Sequence, residues 1–250
     1  MRRFERRKIP LDTAPGHWLY VLEGGRPGRP AILFIHGAAG CSGNWIYQLR
    51  ALADHFHVFA PDMRGHGRSP WPGPSHLEDF YADLRALVDR LPLSDRFALV
   101  CHSFGAAVAC RLACELRPRV AGLGLFNTAG HLPLGLFYRL MLLGSGFADQ
   151  FRRHYPWMVS TNSQVSRWVL RFPVREWDCW RLFPELDMPS LVVLGGLDLL
   201  IPARLGKKMA EILPNSELRL VPSGGHVLMV EQPFESTRWL LGLLKKAFRA

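Results

Sequence analysis

Three side chains far apart in the sequence have the types and settings of a nucleophile, its base and the acid that holds the base. Ser103 stands in LVCHSFGAAVA, residues 99–109. The centre of that stretch, CHSFG, is one residue away from G-x-S-x-G, which places a nucleophilic serine on a sharp strand-to-helix turn. Cys101 replaces the first glycine. It is small and apolar, so the turn remains possible, and Gly105 supplies the small residue needed where strand and helix nearly touch. Taken alone, Ser103 reads equally well as an ordinary serine beside a strand.

A serine hydroxyl needs a base to take its proton. His226, in SGGHV at 223–227, lies on a glycine-flanked loop after the last expected strand and can reach over the strand ends. The base in turn needs a carboxylate to fix its tautomer. Asp198 ends GGLD, just after the apolar run 191–194, with Leu197, Leu199, Leu200 and Ile201 around it. A carboxylate in such surroundings needs a hydrogen-bonding or cationic partner, and His226 would supply one.

Attack on a carbonyl puts charge on its oxygen, which aligned amides can hold. The amide of Phe104, next after the serine, offers one N–H. HGAAG at 36–40 follows an early strand, and its glycines let backbone approach a substrate. We expect the second N–H from Ala38, with Ala39 as the alternative.

These residues need a scaffold, and the apolar patterning describes one. Runs 31–35, 58–60, 97–100, 120–126, 190–194 and 218–221 read as strands, most of them apolar throughout, as in a parallel sheet covered on both faces. Two further strands are expected near 4–11 and 17–23. Helical spacing occupies 45–53, 77–91, 104–116, 203–213 and 234–248. Alternating strands and helices predict an α/β fold, a mostly parallel central sheet with helices on both faces. The rhythm breaks between about 129 and 185, a stretch rich in Leu, Phe, Trp and Arg without a clear strand. A structureless loop of that length is unusual, so we expect a helical cap at 129–185 inserted into a core domain of 1–128 and 186–250.

The chain resembles the α/β-hydrolase superfamily, in its single-domain form with a helical cap. The resemblance rests on HGAAG at 36–40, PDMRGHGRS at 61–69, CHSFG at 101–105, GGLD at 195–198 and GGHVLMVEQPFE at 224–235, in that order. It covers the chain from about residue 17 to the end, outside the cap. The resemblance implies Ser103, Asp198 and His226 as a catalytic triad, the same three residues, in the chain order Ser, Asp, His of that fold. Some members place their acid after the strand preceding the cap. Here that point reads Phe126-Asn127-Thr128-Ala129, without a carboxylate, which favours Asp198. Members with an aspartate nucleophile are excluded by Ser103. Asp62, Arg64 and His66 look like a second cluster, but in similar chains their loop is structural, a buried turn expected to be held by its own ion pairs. Glu231 is expected to brace the final helix.

The machinery suits esters, thioesters, lactones and some C–C bonds, and fold alone does not choose among them. A carboxylic ester hydrolase working through an acyl-enzyme is the first expectation. The alternatives are a thioesterase, a carrier-linked acyl esterase, a C–C hydrolase or perhydrolase, and, from another class, a binding protein on a hydrolase scaffold. Residues 132–143 form an apolar stretch with one arginine, expected to pack on the core or to offer an acyl pocket or lipid-facing lid. Ala39, Leu136, Trp157, Trp168 and Leu199 are candidate substrate contacts, and Trp177 and Trp180 share the region.

In 250 residues, 31 Lys and Arg face 21 Asp and Glu, a net charge of +10. That field attracts anions: either it only aids solubility, or it serves an anionic substrate, an acidic carrier or a lipid surface. No nucleic-acid motif accompanies it. The five cysteines have no CxxC pair and the ten histidines no H-E-x-x-H spacing, so neither metal nor disulfide is expected, and no G-x-G-x-x-G suggests a nucleotide cofactor. No apolar run is long enough to span a membrane, the basic N-terminus has no apolar segment of a secretory signal, and the cytoplasm is the expected location.

Overall fold

A computed structural model describes residues 4–155 and 159–248. The apolar runs form one eight-stranded sheet in the order β1-β2-β4-β3-β5-β6-β7-β8. β1 (Glu5–Pro10) and β2 (Trp18–Gly24) are antiparallel to each other, and β2 is antiparallel to β4 (His57–Pro61). The rest is parallel: β3 (Ala31–Ile35), β5 (Phe97–His102), β6 (Val120–Phe126), β7 (Ser190–Gly195) and β8 (Ser216–Val221). The expectation of a mostly parallel sheet is met.

The connecting helices are α1 (Ile46–Leu52), α2 (Leu77–Arg90) and α3 (Gly105–Glu115), then α8 (Ala203–Ile212), α9 (Leu228–Glu231) and α10 (Pro233–Ala247). Between β6 and β7 lie α4 (Leu136–Gly144), α5 (Ala148–His154), α6 (Ser163–Arg171) and α7 (Pro173–Glu176), with no strand among the described residues there. They are short, nine residues at most.

Alternation along β3 shows why its run is apolar throughout. Leu33 and Ile35 pack into one core layer with Leu84 and Leu87 of α2 and Val108 and Leu112 of α3. Ile32 and Phe34 pack into the opposite layer with Leu49 and Leu52 of α1 and Leu240 and Leu244 of α10. Each side chain so buried contributes about 1.5–3 kcal/mol relative to exposure, which polar residues on either face would forfeit. Because β3 precedes β4 on one side, while β5 and its successors build the other, the strand order reverses between β3 and β5. Ligands bind in the crevice at such a reversal, and the two loops that leave β3 and β5 are HGAAG and the Ser103 turn.

Candidate active site

Ser103 follows β5 directly and has φ +50°. A non-glycine residue held in that left-handed region costs roughly 1–3 kcal/mol and persists only where its surroundings enforce it. Here the Ser103 amide donates to the Phe126 carbonyl (3.0 Å), and its carbonyl accepts from the Thr128 hydroxyl (2.9 Å) and the Ala106 amide (3.0 Å). Gly105 is sterically required: a Cβ there would lie 2.7 Å from the His36 carbonyl oxygen and 2.9 Å from that of Ile35. Cys101 is buried in the core layer beneath the turn. The Ser103 hydroxyl makes no hydrogen bond to the described residues.

Asp198 and His226 meet across the ends of β7 and β8. His226 Nδ1 lies 2.8 Å from Asp198 Oδ2. A carboxylate only accepts, so Nδ1 carries the proton and Nε2 is left as an acceptor. Asp198 Oδ1 accepts from the amides of Leu200 (2.9 Å) and Ile201 (3.0 Å), and Oδ2 also accepts from Asn127 Nδ2 at 3.0 Å. Burial alone would raise the Asp198 carboxyl, but the bonds from His226, the Ile201 amide and Asn127 prevail and hold it below the usual carboxylate range.

His102 backs this pair. Its Nε2 donates to the His226 carbonyl (2.7 Å) and its ring packs 4.7 Å from the His226 ring. Burial, aided by the neighbouring His226, pulls its pKa down to about 3, so it stays neutral. Two other residues hold the His226 loop that sequence reasoning did not assign to it. Asn127, with φ +44°, also donates from Nδ2 to the Gly225 carbonyl at 2.9 Å. Glu231 accepts from the amides of Gly225 (2.6 Å) and Val227 (3.0 Å). It therefore braces the histidine loop rather than the final helix.

The amides of Ala38 and Phe104 have no acceptor among the described residues, and both residues line the cavity beside Ser103. The loop around Ala38 is tied down from outside. His66 Nε2 approaches the Ala38 carbonyl at 2.8 Å, and the Ser160 amide donates to that of Ala39 at 2.8 Å. The PDMRGHGRS loop is thus a support, as expected, but not one closed by internal ion pairs. Asp62 accepts from the amides of Ser42 and Arg68, while Arg64 reaches out to Asp83 of α2 with two bonds of 2.6 and 2.8 Å.

Ser103, Phe104, His226 and the 37–40 loop open into a cavity of about 460 Å³. Its far wall is mostly apolar, with Met141, Ala148, Leu170, Val174 and Trp177 from the segment between β6 and β7, and Ser145 and Ser166 as its polar members. The candidate substrate contacts separate here. Ala39 lines the cavity. Leu136 does not, being 67% exposed on the outer side of α4. Trp168 is turned to the other side of α6, where its indole donates to the Ser75 carbonyl (2.7 Å) beside Trp71. Leu199 is exposed, and its neighbour Leu200 points inward in its place. Trp180 packs on Gly130 and donates to His131, whereas Trp177 lines the cavity. Trp157 falls outside the described residues. No group of three or more His, Cys, Asp or Glu residues among the described ones could hold a metal ion, all five cysteines are free, and no helix among the described residues is long and apolar enough to cross a membrane.

A parallel sheet with a positive-φ serine after its central strand, facing an Asp–His pair at later strand ends, defines the α/β-hydrolase class of fold. The family model described as "Alpha/beta hydrolase family" matches residues 32–237, and the chain belongs to that family. Among curated relatives, "Protein ABHD8" of Homo sapiens is 30% identical over 230 residues, 81% of this chain; the chain spans about half the length of that relative, 52%. Among solved structures, a thermophilic esterase from Thermogutta terrifontis is 27% identical, with TM-score 0.77 over 97% of this chain and 99% of that one. The enol-lactonase of Burkholderia xenovorans, 21% identical with TM-score 0.81 over 94% and 100% of the two chains, shares the fold.

Proposed function

We propose that this protein is a serine hydrolase of carboxylic esters that works through an acyl-enzyme. In this reading His226 Nε2 takes the proton of the Ser103 hydroxyl as its oxygen attacks the ester carbonyl. The amides of Phe104 and Ala38 hold the oxyanion. His226, kept upright by Asp198, passes the proton to the leaving alcohol, then activates the water that frees the acid. Residues 129–185 act as a cap that shapes the acyl side, and 1–128 with 186–250 act as the catalytic core. The observation that carries the proposal is the 2.8 Å bond from Asp198 to His226, which lines the same cavity as the uncommitted hydroxyl of a strained Ser103. The likeness to a solved esterase supports the choice of esters among acyl compounds.

The test is hydrolysis of p-nitrophenyl esters of increasing acyl length by the wild type and Ser103→Ala. Turnover by the wild type, lowered at least roughly 10⁴-fold in the variant, is expected. Equal rates in the two proteins would remove Ser103 from the chemistry. If the wild type ignores every ester yet a fluorophosphonate labels Ser103, the nucleophile stands and the ester bond is the wrong substrate class. Matching thioesters are then the next series.

A further inference from the structure

Among the helices between β6 and β7, α4 is apolar on both sides, and only one side has a partner. Tyr138, Met141, Ser145 and Ala148 turn inward, and the last three line the cavity. Leu136, Leu140, Leu143 and Phe147, spaced i, i+4, i+7 and i+11, turn outward and are 67%, 52%, 75% and 57% exposed. That spacing is one face of a helix carried through α4 and the 3₁₀ turn Ser145–Phe147 after it. Nine of the fifteen large hydrophobic side chains exposed among the described residues fall between 134 and 172. An exposed apolar concentration of this kind marks an interaction surface.

Charge identifies the partner. Residues 131–175 hold six arginines, all exposed, and a single acidic residue, Asp149. Of the six, only Arg152 has an ion pair among the described residues, with Asp149 at 3.4 Å. Arg139 lies on α4 itself, and the Arg167 guanidinium lies within 4 Å of where a Cβ on Gly146 would be, beside the ridge. A second copy of the chain is a poor occupant. A two-fold contact would set this cationic rim against itself, and like charges in apposition oppose association. An apolar helix face rimmed by arginines instead suits the boundary of a bilayer, where acyl chains and lipid phosphates lie a few ångströms apart.

We propose that this ridge and its arginine rim dock the protein onto an anionic lipid surface. The leucines and Phe147 enter the acyl boundary while the guanidinium groups pair with headgroup phosphates. Phe151 lines the cavity and is also half-exposed, so the cavity opens beside the ridge and docking sets its mouth near the lipid. The proposal concerns binding and does not depend on which bond the site cleaves.

Flotation with vesicles tests it. Vesicles of equal parts phosphatidylcholine and phosphatidylglycerol should carry the wild type to the top of the gradient. Phosphatidylcholine alone should carry much less, and high salt should release the bound protein. The double variant Leu140→Glu/Leu143→Glu should bind the anionic vesicles at least roughly 10-fold more weakly, with an unchanged circular dichroism spectrum. Arg139→Glu/Arg171→Glu, which leaves the ridge intact, should lose most of the preference for anionic lipid. Wild type that stays at the bottom with anionic vesicles overturns the proposal. So does a double variant that floats as well as the wild type. A wild-type dimer in sedimentation that the double variant splits, without vesicle binding, would hand the ridge to a second copy.

Discussion

The two walls of the cavity are built on opposite terms. The wall made by the strand-end loops carries the polar groups, and all but the Ser103 hydroxyl and the amides of Ala38 and Phe104 are held by hydrogen bonds. The Asp198 carboxylate alone accepts four hydrogen bonds, from Leu200, Ile201, His226 and Asn127. The facing wall, from α4 to α7, offers Met141, Ala148, Leu170 and Val174, apolar groups on short helices whose other sides meet solvent. The proton relay proposed for these residues would tolerate displacements well under 1 Å, and directional bonds to the strand ends hold Asp198 and His226 in place. A wall that only excludes water and fits an acyl group needs volume and apolarity, and many side chains supply those. Under the proposed function, chemistry is then fixed on one side and specificity is free to change on the other.

The largest effect expected from breaking this contrast lies on the polar wall. Asp198→Asn keeps the shape but can present an amide N–H to Nδ1, which favours the wrong imidazole tautomer. Activity should fall roughly 10⁴-fold, with an unchanged fold by circular dichroism. A fall of only a few-fold in kcat/KM would take the acid role away from Asp198.

Next comes stability. Asp83 is buried, and burial would raise its carboxyl, but hydrogen bonds from His17 and Arg64 outweigh that and hold it below the usual range. Removing it takes away both close bonds of the buried Arg64 guanidinium and leaves it only the Ser75 hydroxyl at 3.2 Å and the more exposed Asp79 at 3.6 Å. Asp83→Ala should cost about 3–5 kcal/mol in denaturant unfolding. Asp149→Ala, which breaks the exposed pair with Arg152 on the helical wall, should change stability by no more than about 1 kcal/mol. The pH dependence has a definite sign. Asp83 and Asp198 both titrate lower in the folded state, so their contribution is complete above the unfolded carboxylate pKa of about 3.9 and is lost as pH falls through the folded values. The wild type should lose stability on acidification below about pH 4, and Asp83→Asn should flatten that limb. An Asp83→Ala loss no greater than that of Asp149→Ala would erase the contrast in stability between the two regions.

The same division governs what could be read from the sequence. The polar wall was legible because its parts announce themselves locally. Continuous apolar runs gave the strands to within a few residues, and glycines at 37, 105, 195 and 224 marked the turns between them. In the sequence Asn127 stands out only for not being a carboxylate. Its work, holding Asp198 and Gly225 together, depends on β6 lying beside β7, which is a fact of sheet order. Glu231 reads as a brace of the helix that follows it, and its type alone does not tell that helix from the loop just before it, which its carboxylate in fact holds. The helical wall was illegible in a different way. When a helix is apolar on nearly every face, periodicity does not say which face turns inward, so Leu136 reads as a substrate contact although Met141 is the residue that lines the cavity. Likewise the turn that lets Leu200 and Ile201 donate to Asp198 sends Leu200 in and Leu199 out.

That last pair supplies the finest test. Leu170 lines the cavity, and Leu199, fewer than thirty residues away in sequence, is exposed next to Leu200, which lines it. Both are leucines, and both lose the same atoms on truncation to alanine. Leu170→Ala enlarges the apolar wall without touching any hydrogen bond of the Asp198–His226 pair. It should shift the preferred acyl group of the ester series to a longer chain, with kcat/KM for the original optimum down roughly 10-fold, the scale of a methylene or two in a hydrophobic pocket. Leu199→Ala should leave the whole profile unchanged within about two-fold, since surface truncations rarely exceed ±0.5 kcal/mol. Equal profiles for both variants would mean that the acyl group does not lie against α6. A shift in Leu199→Ala alone would mean that substrate enters over the Asp198 turn, and the apolar wall would then be a roof rather than a pocket.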